Sequence, residues 1–189
     1  DVSNVDGDVG LDLNDGDSSI TDSLTNQISP NTHTSDQTWT VDNIAPSVST
    51  INRGTVPGSN PTNASSIQFE VTFSEAVGTV VTGDFVVTNT GVGSPTISTV
   101  AGSGVTRTVT VNTAGVDGDV GLDLSDGDSS ILDLSNNPIN PNTQIGDETW
   151  TVDSFAPSVT SINRGTTPAV NPTNATSVEF TVTFSEDVV

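Results

Sequence analysis

The chain repeats itself, and no other feature constrains its fold as strongly. Trp39 and Trp150 lie in "QTWTVD" and "ETWTVD", 111 positions apart. The same offset carries "IAPSV" at 44 onto "FAPSV" at 155, "INRGT" at 51 onto 162, "NPTNA" at 60 onto 171 and "FSE" at 73 onto 184. Loops match as closely as apolar runs, so the unit is a whole module rather than the short period of a solenoid. Pro46 and Pro157 closely follow the "TWTVD" runs, where a stiff linker belongs. That phase makes 1–43 the back of one module, 44–154 a complete module and 155–189 the front of the next. With Asp1 first and no methionine, the chain reads as a window of a longer polypeptide.

Within the repeat the apolar residues follow a period of two. Ile67, Phe69, Val71 and Phe73 alternate with Gln68, Glu70 and Thr72, and Val178, Phe180, Val182 and Phe184 repeat the pattern. Such alternation is a half-buried antiparallel strand. Further strands are expected at 47–52, 84–89, 96–100, 105–111, 119–124 and 149–153. Clusters of Gly, Pro, Asn and Asp separate them, and no stretch shows a capped helical period. The expected fold is all-β: a tandem immunoglobulin-like β-sandwich with about seven strands per repeat. Trp39 and Trp150 share a strand face with Val41 and Val152, which marks them as core rather than as a sugar platform.

Charge narrows the partners. Twenty-four acidic residues stand against three arginines (Arg53, Arg107, Arg164) and no lysine, for a net charge of -21. Nothing here could replace the counterions of a nucleic acid, and an anionic membrane surface would repel the chain. No apolar run is long enough for a membrane span, and no signal peptide is visible. There is no cysteine, so no disulfide staples the fold. Without lysine, no Lys–Asn isopeptide cross-link can form within the chain either. A divalent cation is the remaining staple that suits so many carboxylates.

The runs "APSVTSINR" and "NPTNATSVEFTVTFSEDV", with "DF" at 84 after "FSE" at 73, resemble bacterial Ig-like tandem repeats of very large secreted or cell-surface proteins. The resemblance covers essentially the whole chain. It implies an extracellular module that extends an adhesin or surface fibre, often with calcium at its junctions. Arg107, in "VTRTVTV", departs from that pattern, since relatives often place an aromatic residue there.

Strand parity then places the acids. Seven strands carry the chain from one pole of a sandwich to the other, so the bottom of one module faces the top of the next. Asp6, Asp8 and Asp42 should approach Glu75, Asp84 and the loop holding Asp126, Asp128, Asp133 and Asn136. Asp117, Asp119 and Asp153 should approach Glu186 and Asp187. Converging carboxylates suit Ca2+, which takes six to eight oxygens in a forgiving geometry. The Asp-Gly-Asp triplets are not an EF-hand, because Leu122 and Leu124 occupy ligand positions ahead of Gly127. They also read as ordinary tight turns, which need no metal.

No catalytic arrangement is recognisable. His33 has Gln144 as its counterpart, and there is no cysteine nucleophile. Paired acids on turns do not make a pocket. "NAS" at Asn63 and "NAT" at Asn174 are glycosylation sequons at equivalent positions. The expected role is a structural module whose partners are neighbouring repeats of the same polypeptide and like chains in a fibre. One form of the latter has incomplete modules pairing between chains. A glycan- or protein-binding module is the alternative, and near-identical loops favour the spacer.

Overall fold

The computed structural model describes residues 2, 6–34 and 37–189. Among them are fourteen strands, one 3-10 turn (Thr82–Asp84) and no α-helix. The first four strands are short: β1 (Gly7–Val9), β2 (Leu13–Asn14), β3 (Thr32–His33) and β4 (Trp39–Val41). Eight follow in the 44–154 segment: β5 (Val48–Arg53), β6 (Ser66–Val77), β7 (Phe85–Asn89), β8 (Thr96–Ala101), β9 (Gly104–Asn112), β10 (Asp117–Ser125), β11 (Thr143–Gln144) and β12 (Trp150–Asp153). A last pair, β13 (Val159–Arg164) and β14 (Phe180–Phe184), closes the chain.

The middle segment forms two antiparallel sheets. One has the order β5-β6-β9-β8. In the other, β10 pairs with β7 over Val120 to Leu124 and with β12 over Asp117 to Val120. β11 pairs with Leu124 and Ser125. Because β7 overlaps both of those registers, β11 and β12 share the opposite edge of β10. They are one run interrupted at 145–149, where the backbone turns towards the other sheet. There the Asp147 N–H donates to the Ile51 carbonyl, and the Ile51 N–H donates to the Asp147 carboxylate. Eight strands therefore stand where seven were expected, the last having been split by this excursion.

Both sheets turn their apolar alternates inward onto one core. Ile67, Phe69, Val71 and Phe73 of β6, with Val109 and Val111 of β9, share it with Val120, Leu122, Leu124, Trp150 and Val152 of the other sheet. Each such side chain contributes roughly 1.5–3 kcal/mol when fully buried.

Arg107 breaks the apolar rule on β9 and is itself buried. Its guanidinium donates to the carbonyls of Val77, Gly78, Gly104 and Thr106 and lies 6.0 Å from the centre of the Phe73 ring. It thus satisfies the backbone where β6 bulges between Thr72 and Val77. Arg107→Leu should lower the stability of this segment by roughly 1–3 kcal/mol, because buried carbonyls lose their donors. Thermal unfolding reads that loss, and an unchanged melting point would mean that water replaces the guanidinium.

The flanking strands repeat middle-segment registers. Asp8 faces Thr40 and Val9 faces Trp39, just as Asp119 faces Thr151 and Val120 faces Trp150. The β13–β14 ladder pairs Ile162 with Val182 and Arg164 with Phe180, matching Ile51 with Val71 and Arg53 with Phe69 in β5–β6. No helix in the described residues is long and apolar enough to cross a membrane.

Candidate metal centre

Two groups of three carboxylates come together, each with oxygens lying within 4.8 Å of one another. The first is Asp42, Glu75 and Asp133; the second is Asp84, Asp126 and Asp128.

The first group sits where the chain passes from β4 to β5. Asp42 follows β4, Glu75 lies on the bulged end of β6, and Asp133 is in the loop after β10. The crossing is held by polar contacts. Ser135 Oγ donates to the Asp42 carboxylate, the Asn137 side chain donates to the Asp42 carbonyl, and the Asn140 N–H donates to the Pro46 carbonyl. Burial pushes the Glu75 carboxyl up, and the charges of Asp42, Asp133 and Asp6 push it further. Asp133 responds oppositely. Burial would raise it, but the Asn137 side chain and the N–H groups of Asn137, Ser135 and Asn136 prevail and hold it low. Among the described residues no arginine forms a salt bridge with any of the three: Arg53 is bound to Glu148 at 3.4 Å and Arg107 to backbone carbonyls.

The second group lies within the middle segment. Asp84 ends the 3-10 turn and is almost fully buried, as is Asp126. Burial pushes the Asp84 carboxyl up, and the nearby charges of Asp126 and Asp128 add to it, against hydrogen bonds from the Val81 N–H and the Ser130 hydroxyl. Ser130 in turn holds Asp128 low.

Turn chemistry accounts for part of this acid content. Asp126 accepts from the Ser130 N–H, the Ser130 hydroxyl and the Ile131 N–H, closing the "DGDSS" loop with Ser129 at φ 56. Asp15 does the same with Ser19 and Ile20, with Ser18 also at φ 56. Asp133 and Asp22 organise equivalent turns through Asn137 and Asn26. The tight-turn reading and the carboxylate clusters therefore coexist in the same loops.

The acids singled out in the sequence divide as follows. Asp42 meets Glu75, with Asp6 close enough to act on the Glu75 charge. Asp84 joins Asp126 and Asp128 rather than the acids ahead of residue 44. Asp133, placed in this loop but not selected as a ligand, completes the first group. Asp8 and Asp119 belong to neither, since each accepts from a cross-strand threonine: Thr40 at 2.7 Å and Thr151 at 2.8 Å. Glu186 is pushed up by burial and by the charges of Asp153 and Asp117. Those three residues are the counterparts, 111 positions on, of Glu75, Asp42 and Asp6. Asp187 is exposed and falls in neither group.

Neither group lines the groove that runs along β13–β14. Asn63 and Asn174 are exposed. Compared with protein-family models, curated proteins and solved structures, the chain matches none.

Proposed function

We propose that this chain is a stretch of tandem immunoglobulin-like sandwiches serving as a spacer in an extracellular stalk, adhesin or surface fibre. Residues 44–154 are one module, 1–43 the back of its predecessor and 155–189 the front of its successor. The strand order supports the fold: β5-β6-β9-β8 opposite β7-β10-β12 is the ABED and CFG arrangement of a constant-type immunoglobulin domain. The near-identical loops of successive repeats favour a spacer over a recognition module. The role is mechanical and involves no catalysis.

One observation carries the proposal: the Asp42, Glu75 and Asp133 group spans the boundary between consecutive repeats. Calcium fits this donor set. Oxygens at about 2.3–2.6 Å from Ca2+ lie no more than about 5 Å apart, and the observed limit of 4.8 Å meets that. Three carboxylates, with carbonyls and water filling the remaining positions, make a site of modest affinity, suited to the millimolar calcium outside cells. Asp117, Asp153 and Glu186 are the sequence counterparts of Asp6, Asp42 and Glu75 at the next boundary, where they act on one another's charge but do not gather into a third group.

Solution scattering tests the reading. The chain should be longest and most uniform in shape in calcium, and shorter on average with a broader distribution in chelator. Identical profiles in the two conditions would remove calcium from the junction and leave the stalk without its stiffening element.

A further inference from the structure

The turn that leads into β6 is held by Thr62 and Ala64, and it leaves Asn63 and the Ser65 hydroxyl idle. Thr62 is buried, exchanges backbone hydrogen bonds with Thr151 and Asp153, and accepts from the Ala64 N–H on its hydroxyl. The Ala64 carbonyl accepts from the buried Thr113 hydroxyl, and the Ser65 carbonyl accepts from the Thr113 N–H. Asn63 and Ser65 are exposed, and among the described residues neither side chain makes a hydrogen bond. Other asparagines of the segment are occupied. Asn60 accepts from the Thr151 N–H, Asn112 accepts from the Ala114 N–H, and Asn142 donates to the Asp126 carbonyl.

Although the turn does not use it, the pattern persists. Asn63-Ala64-Ser65 returns 111 positions on as Asn174-Ala175-Thr176. The third residue differs between the two repeats, and its hydroxyl is kept. Nearby positions differ more freely: Ser59 is matched by Val170, Gln68 by Glu179 and Glu70 by Thr181. An asparagine followed two positions on by Ser or Thr is the acceptor pattern for an N-linked sugar. Asn60-Pro61-Thr62 has the same outer residues, but a proline in the middle bars it. The blocked asparagine is the one with structural work, and the open one has none.

We propose that Asn63 is a modification site that carries an N-linked sugar, with Asn174 its counterpart in the next repeat. The inference rests on the extracellular reading above, because such sugars belong to the surface loops of secreted proteins. The donor is a sugar held through its anomeric carbon on a diphosphate, and a separate transferase brings it to the turn. The Asn63 Nδ2 displaces the diphosphate. A C–N bond forms, the C–O bond breaks with its electron pair leaving on the phosphate, and the amide gives one proton to the transferase's base.

The position has a consequence for the array. Thr113 ties this turn to the exit linker, its hydroxyl bonding Ala64 and its carbonyl accepting from the Ser154 hydroxyl at 3.3 Å. A sugar on Asn63 therefore stands at the pole where the chain leaves for the next repeat, beside Ser154 and the half-exposed Phe155. It adds bulk and solubility there without adding charge.

Peptide mass mapping tests the site. Arg53 and Arg107 bound 54–107, and the chain has no lysine, so trypsin releases that stretch as one piece. In protein recovered from the surface of its own cells, this piece should carry a sugar mass that fragmentation assigns to Asn63. A single sugar or a preassembled block supports the site equally. Asn63→Gln should abolish the mass, and so should Ser65→Ala, which leaves the asparagine in place; Ser65→Thr should keep it. An unmodified 54–107 in surface-exposed protein would overturn this inference alone, as would a sugar on Asn63 that survives Ser65→Ala. Unmodified protein found only inside the cell would overturn both this site and the extracellular reading.

Discussion

Trp150→Ala should abolish the cooperative unfolding of the 44–154 segment at its normal temperature, costing about 3–5 kcal/mol. The same change at Trp39, in dilute protein, should cost no more than about 0.5 kcal/mol. The two tryptophans sit in nearly identical text, "TWTVD", so local sequence cannot distinguish them. Burial does: Trp150 lies between the sheets, with Arg53 beside its ring and the Gln68 carbonyl on its Nε1, whereas Trp39 has water on most of its surface. Removing Trp150 leaves a cavity in the core that also holds Ile51, Phe69 and Leu122, while the Gln68 carbonyl keeps the Gly54 N–H as a donor. Calorimetry of the two variants beside the parent settles the matter. Equal effects would mean that the sheets do not share the core described here.

That contrast also shows what can be read from the text alone. The alternation of Ile67, Phe69, Val71 and Phe73 marks a core face, because a strand sends successive side chains to opposite sides, and all four are buried. Val120 and Leu122 point inward by the same rule, which sends Asp119 outward to Thr151. Asp8 and Asp119 were nevertheless expected among the calcium ligands, and the structure turns both to cross-strand threonines instead. The division of the last strand was not legible, since it depends on Asp147 reaching Ile51 across 96 residues of sequence. Asp133 was missed for a related reason. Its turn has a local signature, but its approach to Asp42 and Glu75 depends on how the β10 loop lies against the preceding repeat. Arg107 broke the apolar pattern without revealing its partners, which are carbonyls made available by a bulge in another strand.

Calcium in excess should raise the unfolding temperature sharply over that in chelator. A site filled at one hundred times its dissociation constant contributes about 2.7 kcal/mol, and each further site adds to this. Glu75→Gln separates binding from simple repulsion. In calcium the variant loses a ligand, so its gain on adding the ion should shrink. In chelator it loses a negative charge that burial, Asp42, Asp133 and Asp6 all penalise, so it should melt higher than the parent. A change that stabilises without metal and destabilises with it is what a ligand predicts, and a merely structural glutamate would move both measurements the same way.

The pH dependence in chelator has a defined sign. Glu75 and Asp84 are raised in the folded chain, so the folded state binds more protons than the unfolded one above their ordinary values of 4.5 and 3.8. Stability from these groups is present at acid pH and is lost as pH rises through the raised values. Asp133 and Asp22 are lowered, so their contribution is present above 3.8 and is lost as pH falls through their folded values. The two windows lie on either side of about pH 4, close to the pI of 4.1, where self-repulsion of the acidic chain is also least. Without metal, melting temperature should therefore peak near that pH and decline towards neutrality. Calcium needs ionised ligands, so its protection should grow over the same range in which the chelated chain weakens. A calcium increment that stayed flat from pH 4 to 7 would place the ion somewhere other than these carboxylates.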